Sequence, residues 1–262
     1  MTASAGSAER SRASSIDTIP DELSAVVRRR LVVRVLAATI LSLTALSLAG
    51  QVSRYYFGYG YIFGLVDFFY VNQEQNLPSW FSSVQLLFSA GLLAAIWWQE
   101  KMTSRPFARH WGWLCLIFVF LSMDEMASLH ERTMEPLQRL TGGMPDGIWA
   151  PTWLIAGLAF TAVVAIAYLR FFFMCLTPEQ RLRLAAAAVV FLSGAVIMEM
   201  VAGAVFFPHG YESWVEFEET FAYAVTTHVE EFLEMAGILL FIDFLLRRLE
   251  RGPTVGIAFS SG

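Results

Sequence analysis

Residues 120–131 read FLSMDEMASLHE and place ionisable side chains at the end of a strongly apolar run. They are Asp124, Glu125, His130 and Glu131. The same residue types recur in two later apolar segments, as Glu199, His228, Glu230, Glu231 and Glu234. Carboxylates and imidazoles can bind a metal ion or transfer protons. These ligand types suit Zn, Fe or Mn, and the absence of cysteine ligands argues against copper(I) and iron–sulfur sites.

The composition indicates that these residues lie in a membrane protein. The apolar fraction is 56% and the charged fraction 16%, against roughly 45–50% and 25% in soluble domains. The length allows one bundle of spanning helices and leaves no room for a second folded domain. Cys115 and Cys175 both lie in apolar runs and are interpreted as small core residues. The sequence predicts the lipid bilayer as a partner and no nucleic acid.

The fold class predicted is all-α, a polytopic bundle with six transmembrane helices. A spanning helix needs about 20 mostly apolar residues. Six segments meet this requirement: Leu31–Gly50, Trp80–Trp98, Trp111–Leu129, Pro151–Phe173, Leu182–Phe206 and Phe221–Leu246. The third and sixth are interrupted by acids, which lowers their hydropathy.

The placement of Lys and Arg predicts the orientation of the bundle. Basic residues precede the first segment, follow the sixth, and fill the second and fourth loops, for example Arg28 to Arg30 and Arg247 to Arg248. Six spans would put these loops on one side, so both termini are predicted to be cytoplasmic, in a bacterial inner membrane. The predicted organisation is a disordered tail over 1–27, a transmembrane domain over 28–250 and a short tail over 251–262.

The intramembrane acids lack basic partners within the apolar segments. A charged side chain near mid-bilayer costs about 2.5–3.5 kcal/mol on insertion scales and normally faces the bundle interior, where it is paired. Because no intramembrane Lys or Arg could neutralise these acids, the compensating charge must be a proton, a metal or another bound cation. The alternative is a hydrogen-bond network that only fixes helix packing.

Helix periodicity predicts which of these residues share a face. Asp124 and Glu131 lie on one stripe, and His130 lies off it, so all can reach one site only if the helix end bends. On the sixth segment, His228, Glu231 and Glu234 share a broad face. Small residues beside Glu199 allow close helix approach and could bring it to the sixth segment.

Depth along the helices predicts one polar layer in the outer half of the membrane. With a rise of about 1.5 Å per residue, Asp124, Glu199, His228 and Glu231 fall at similar depth. Glu131 and His130 are predicted to lie above this layer and Glu234 below it. The inner halves of the segments are apolar, and Asp243 near Arg247 is interpreted as an interfacial ion pair.

The leading interpretation of the layer is a metal site in a membrane enzyme. Asp124, His228 and Glu231 are the first-choice ligands, followed by Glu199, His130 and Glu125. Glu131 and Glu234 complete the ligand candidates. A carboxylate not bound to the metal, Glu231 or Glu125, would act as general base in hydrolysis of a lipid or other apolar substrate.

Two other classes of function remain open. Acids at graded depth beside a histidine are also typical of a proton- or cation-coupled transporter. The third interpretation is a structural subunit of a membrane complex, in which the polar residues bind a membrane-protein partner or a second copy of the chain. The sequence does not decide whether the protein is an enzyme.

Three motifs carry a resemblance to a protein family. They are EQNLPSWFSS at 74–83, LSMDEMASLHE at 121–131 and EEFLEMAG at 230–237. In this pattern the chain resembles a group of uncharacterised bacterial multi-span inner-membrane proteins. The resemblance implies a similar multi-span fold and brings no established activity.

Overall fold

The computed structural model describes residues 21–209 and 220–251, and for residues 21–28 and 141 the backbone alone. These residues form an all-α structure without strands. The helices are α1 Asp21–Phe57, α2 Leu65–Phe69, α3 Leu77–Met102, α4 Ala108–Ala127, α5 Leu129–Arg132, α6 Met134–Thr141, α7 Trp153–Cys175, α8 Pro178–Leu192, α9 Glu199–Phe206 and α10 Phe221–Glu250. A π-helix, Ser193–Met198, joins α8 to α9, and 3₁₀ turns occur at Ile62–Gly64 and Gly147–Trp149.

Several of these helices are long and apolar enough to cross a membrane. Four qualify by length and hydropathy: Arg29–Phe57, Leu77–Met102, Trp153–Cys175 and Pro178–Phe206. A fifth is obtained if α4 and the following segment to Leu140, bent by 75°, are counted as one span. The six segments predicted from the sequence all coincide with helices. The sixth, α10, is a continuous helix, but its acids lower its hydropathy, and it is not among the helices that qualify as spans.

Helix α10 lies at the centre of the bundle. It runs antiparallel to α1, because His228 contacts Ser47 and Asp243 contacts Arg29. It runs parallel to α3, since Arg248 near the end of α10 binds Glu100 near the end of α3. Both α3 and α10 therefore present their first turns to the same end of the bundle, and the acids of α10 lie toward that end.

The start of α3 is fixed by Asn76. The Asn76 side chain accepts a hydrogen bond from the Ser79 backbone N–H at 3.2 Å, and the Ser79 hydroxyl accepts one from the Asn76 N–H at 3.0 Å. This capping box satisfies N–H groups that a helix start would otherwise leave unpaired. The Asn76 amide also donates to the carbonyl of Tyr70 at 2.6 Å. The turn that carries Glu74 is thereby held against the bundle.

Two serines join α3 to α4 one turn before the polar end of α4. The hydroxyls of Ser83 and Ser122 lie 2.9 Å apart, and each hydroxyl also donates to the carbonyl of the other residue, at 2.8 and 2.9 Å. Small hydroxylated residues permit close helix approach and satisfy each other in an apolar environment. This contact places Asp124 and Glu125 against α3.

The opposite end of α10 is apolar and then basic. Leu93, Ile96, Phe241 and Leu245 are almost completely buried in one core cluster between α3 and α10. Beyond this layer, Arg247 binds Asp243 at 2.7 Å, which confirms the predicted ion pair. Asp243 therefore has an arginine partner, in contrast to the acids in the first half of α10.

The predicted tails fall largely outside the described residues. Residues 1–20 and 252–262 are not described, and α1 begins at Asp21. The seven residues Asp21–Val27, which the sequence assigned to the tail, thus belong to the backbone of α1 in this structure. Residues 210–219, which contain Glu212, Glu216, Glu218 and Glu219, also lie outside the described ranges.

Candidate functional site

The polar end of α4 is broken at Ser128. This residue has φ 47° and ψ 47°, a left-handed conformation that is costly for a residue with a side chain. Helix α5 begins immediately after it, and the helix direction changes by 75° across the break. The bend that the sequence required for His130 to reach Asp124 is therefore present.

Asp124 and His130 form a hydrogen-bonded pair across this break. Asp124 Oδ1 accepts from the His130 backbone N–H at 2.7 Å, and Asp124 Oδ2 lies 3.1 Å from His130 Nδ1. The carboxylate thus serves as the missing cap of α5 and orients the imidazole. Because of the bend, the His130 ring lies against the Asp124 carboxylate. The predicted order of depth stays a prediction.

Glu74 approaches the pair from the turn before α3. Its carboxyl lies near Ser128 and within electrostatic range of Glu131, His130 and Asp124. Burial raises the pKa of Glu74, the charge of Glu131 raises it further, and the nearby Ser128 side chain opposes the shift. The Glu74 Oε2 atom is buried and has no hydrogen-bond partner among the described residues. This oxygen is available to a cation.

Glu125 connects α4 to the acids of α10. Its carboxyl lies near Ser82 on α3 and within electrostatic range of Glu74. From α10, Glu231 and Glu234 lie within electrostatic range of both Glu125 and Glu74. The carboxyls from α4, α10 and the turn before α3 therefore meet in one region, as the sequence predicted for those of α4 and α10.

Glycines allow α10 to approach the π-helix closely. A Cβ atom on Gly194 would lie 2.7 Å from the Glu230 carbonyl oxygen and 2.8 Å from Glu234 Cγ. Any larger residue at position 194 would push these acids away. The π-helix containing Gly194 ends at Met198, directly before Glu199, and such interruptions of α-helices are frequent at functional sites.

Glu199 is held by a tryptophan. Trp153 Nε1 donates to Glu199 Oε1 at 3.1 Å, and the Trp153 ring packs edge-on against the His130 ring with centroids 5.1 Å apart. Glu199 also lies within electrostatic range of Glu230. The approach to the sixth segment predicted for Glu199 is thus present, but Gly203 packs against Gly147 instead.

We call these carboxyls together the acid cluster. Its members are Glu74, Asp124, Glu125, Glu131, Glu199, Glu230, Glu231 and Glu234. Within residues 21–209 and 220–251, His130 is the basic side chain that forms an ion pair with it, and none of the ion pairs of Arg involves a member. Residues 210–219 contain no Lys or Arg in their sequence. Glu131 is exposed and the other members are half-buried.

His228 lies on a different side of α10, facing α1. Its Nε2 is 2.8 Å from the Ser47 hydroxyl, and its Nδ1 is 2.6 Å from the Ala224 carbonyl. Ser47 also accepts from the Val71 N–H at 3.0 Å. Because the Ala224 carbonyl can only accept, His228 Nδ1 carries a proton and donates to it. Both ring nitrogens are therefore engaged in this conformation.

The described side chains do not form a closed metal site. Among them, no three His, Cys, Asp or Glu residues converge in the way that a metal ion requires. The ligand assignments for Asp124, Glu131, Glu199, Glu234 and the two histidines stay predictions. What the arrangement can do chemically is hold cations, since acids from several helices face each other without arginine or lysine.

Two residues of the site were not identified as such from the sequence. Glu74 stood in the EQNLPSWFSS motif, and its position two residues before a helix cap could have indicated a fixed carboxyl. Trp153 gave a weaker signal, the spacing of a Trp and a Gly four residues apart at the start of α7.

Comparisons with known proteins identify a family but no activity. A family model described as "Domain of unknown function (DUF8692)" matches residues 31–249. No curated protein and no solved structure matches the chain. The matched range covers most of the sequence, and the chain belongs to this family.

Proposed function

We propose that this member of the DUF8692 family is a six-span protein of a bacterial inner membrane, with both termini in the cytoplasm. The proposal adds α10 to the helices that are long and apolar enough to span. Its 30 residues pack at the centre of the bundle, and its second half is apolar until Asp243. The basic residues at the end of α10 and at the start of α1 lie at the same end of the bundle, which supports a cytoplasmic location for that end.

We propose further that the acid cluster binds a divalent metal ion in the outer half of the membrane. The observation that carries the proposal is the meeting of carboxyls from α4, α9, α10 and the turn before α3 with His130 as the basic partner. Like charges that share a site repel one another, and burial strengthens that repulsion. A divalent cation would remove the repulsion and draw the side chains together.

The ligand set that we propose consists of Glu74, Glu125, Glu199, Glu231 and His130, which lie near one another at this end of the bundle. The carboxylates supply oxygen, and the imidazole supplies one nitrogen, a combination that suits Zn, Fe or Mn. His130 already has the support that metal-bound imidazoles usually have, since a carboxylate, Asp124, holds its other nitrogen. His228 has both nitrogens engaged, so its role in this proposal is to fix α10 against α1.

A metal-dependent enzyme acting on a lipid or other apolar substrate is the function we favour. The cluster lies toward the outer end of the bundle, and the apolar layer of Leu93, Ile96, Phe241 and Leu245 lies inward of it. An apolar layer that interrupts the polar path suits catalysis better than transport. Glu234, or Glu231 when it does not bind the metal, would serve as general base on a metal-bound water.

A proton- or cation-coupled transporter is the second candidate. It is favoured by the order of the acids, from exposed Glu131 to half-buried Glu234 deeper along α10. A transporter would have to open the apolar layer to continue the path.

The test of the favoured function is an activity assay on purified protein in nanodiscs. The protein is incubated with mixed bacterial lipids, with Zn, Mn or Fe(II) or with a chelator, and the products are analysed by mass spectrometry. Metal-dependent lipid turnover that Glu231→Gln abolishes is expected. Metal binding without turnover, together with ion flux in proteoliposomes that Glu234→Gln abolishes, would favour the transporter.

The topology is tested separately with reporter fusions. A reporter that is active outside the cytoplasm should be active after residue 73 or 143 and inactive after residue 105 or 177. The reverse pattern, or the same side for all four positions, would refute the proposed six spans.

A further inference from the structure

Trp153 touches two members of the site that come from different parts of the chain. Its indole N–H donates to Glu199 Oε1 at 3.1 Å, and its ring meets the His130 ring at a centroid distance of 5.1 Å and an interplanar angle of 61°. An indole nitrogen can only donate, so Oε1 must accept. The second oxygen of the same carboxylate can then face a cation.

A glycine on the same helix provides the space for the indole. A Cβ atom on Gly157, one turn further along α7, would lie 2.7 Å from Trp153 Cζ3 and 3.0 Å from Cε3. The ring therefore lies across the surface of α7 at a position that only glycine leaves free. A residue with a side chain at 157 would displace the ring from Glu199 and His130.

The backbone before Trp153 is firmly anchored to α9. The N–H of Gly147 donates to the Phe207 carbonyl at 2.9 Å, and a Cβ on Gly203 would lie 2.5 Å from the Gly147 carbonyl oxygen. Ala150 and Thr152 are completely buried. The indole is consequently held at a fixed place relative to the helix that carries Glu199.

The rest of α7 contributes little to the core. Its buried residues are Leu154 at the outer end and Phe171 at the inner end. The contact between α7 and the acid cluster therefore depends on Trp153 and its immediate neighbours.

We propose that Trp153 is a positioning residue that holds the Glu199 carboxylate and the His130 ring in one arrangement, so that both face the same cation. This inference rests on the proposed metal site. Trp153 does not touch the metal. It acts through its hydrogen bond to Glu199 and its packing against His130, and Gly157 keeps the ring in place.

A double-mutant cycle tests the inference. The affinity for Mn²⁺ or Zn²⁺ is measured by titration calorimetry on wild type, Trp153→Phe, Glu199→Gln and the double variant in nanodiscs. Trp153→Phe keeps an aromatic ring and removes the N–H, and is expected to weaken metal affinity about tenfold, as loss of an outer hydrogen bond does at metal sites. The double variant should bind as weakly as Glu199→Gln alone, because the two groups act together.

Two further variants separate positioning from a purely structural role. Gly157→Ala retains the N–H but displaces the ring, and should reproduce the loss of affinity. Trp149→Phe alters an exposed tryptophan of the preceding turn and should leave affinity unchanged. A structural role alone would lower thermal stability and leave the metal affinity of the folded protein unaltered.

The outcomes distinguish this inference from the proposed function. Equal affinities of wild type and Trp153→Phe, or losses that add in the double variant, would refute the inference alone. Absence of metal binding by the wild type would refute the proposed function and the inference with it.

Discussion

Asp124 holds His130 at two points, accepting a hydrogen bond from its backbone N–H at 2.7 Å and lying 3.1 Å from its ring Nδ1. One carboxylate thereby caps the start of α5 and orients the imidazole beside the acid cluster. The contact is possible because Ser128 adopts a left-handed conformation between them. The break in the helix is therefore part of the site, since an uninterrupted helix would point His130 away from Asp124.

Asp124→Asn should separate the two roles of this carboxylate. The amide oxygen can still cap α5, but its NH₂ group cannot accept the proton of His130 Nδ1. We expect the fold to be retained and metal affinity to fall about 10- to 100-fold, the usual effect of losing a carboxylate behind a histidine ligand. Titration calorimetry measures the affinity. Glu135→Gln, in an exposed pair with Arg139, is the control, and an Asp124→Asn affinity equal to that of wild type would contradict the assignment.

Gly194→Ala should disturb the acid cluster through the backbone. The added methyl group would lie 2.8 Å from Glu234 Cγ and 2.7 Å from the Glu230 carbonyl. Forcing an additional methyl into packed helices typically costs about 1–3 kcal/mol, and we expect a lower unfolding temperature together with weaker metal binding.

Two other glycines provide the comparison for Gly194. Gly237→Ala would meet Phe191 Cβ at 2.6 Å and should lower stability to a similar extent. Gly91→Ala, on α3, has nothing within 4 Å and should cause no loss. Stability is measured by thermal unfolding in detergent, and equal behaviour of the variants at 91 and 194 would show that α10 does not pack as described.

Ser47→Ala should test whether His228 serves packing or metal binding. The change leaves the buried Nε2 atom of His228 without its hydrogen-bond partner, which costs about 1–3 kcal/mol. We expect reduced thermal stability with the metal content of the folded protein retained. Retained stability and a loss of metal from both Ser47→Ala and His228→Ala would instead place His228 among the ligands.

Glu74→Gln should change how stability depends on pH. Burial raises the pKa of Glu74 in the folded protein above the usual value of 4.5. The native state therefore binds the Glu74 proton more tightly than the unfolded chain does. The resulting contribution to the free energy of unfolding is complete below pH 4.5 and is lost as the pH rises through the pKa of Glu74 in the folded protein. In metal-free buffer, the neutral Gln variant should gain stability relative to wild type with rising pH.

The measurement for Glu74 is the difference in unfolding temperature between the two proteins across the pH range, with a chelator present. Glu135→Gln, at an exposed position, should show no such trend. A wild type that gains stability relative to Glu74→Gln with rising pH would contradict the burial of this carboxyl.

The sequence predicts the helices of this protein well because long apolar runs allow few alternatives. Each of the six expected segments is helical, the third with a break at Ser128 and the fifth with a π-helix. The need for a bend near His130 followed from its angle on α4. The angle of a residue on its own helix does not reveal which neighbour it meets. His228 and Glu231 share a face by periodicity, yet His228 contacts Ser47 on α1 while Glu231 lies near Glu125.

Other features of the site depend on tertiary contacts that no local pattern encodes. Trp153 reaches Glu199 only because the turn at Gly147 packs on α9. Glu74 joins the cluster because Asn76 anchors the turn before α3. The sequence could indicate a fixed turn at Asn76, but not the acids that surround it.

The most direct test of the account is the metal content of the purified protein. Wild type is produced in cells supplied with Zn, Mn and Fe, and inductively coupled plasma mass spectrometry is applied to it beside Glu231→Gln, Glu125→Gln and the control Glu135→Gln. The account predicts stoichiometric metal in wild type and in the control, and a clear loss in both cluster variants. Wild-type protein without stoichiometric metal, or cluster variants that retain it fully, would contradict a metal site in the acid cluster.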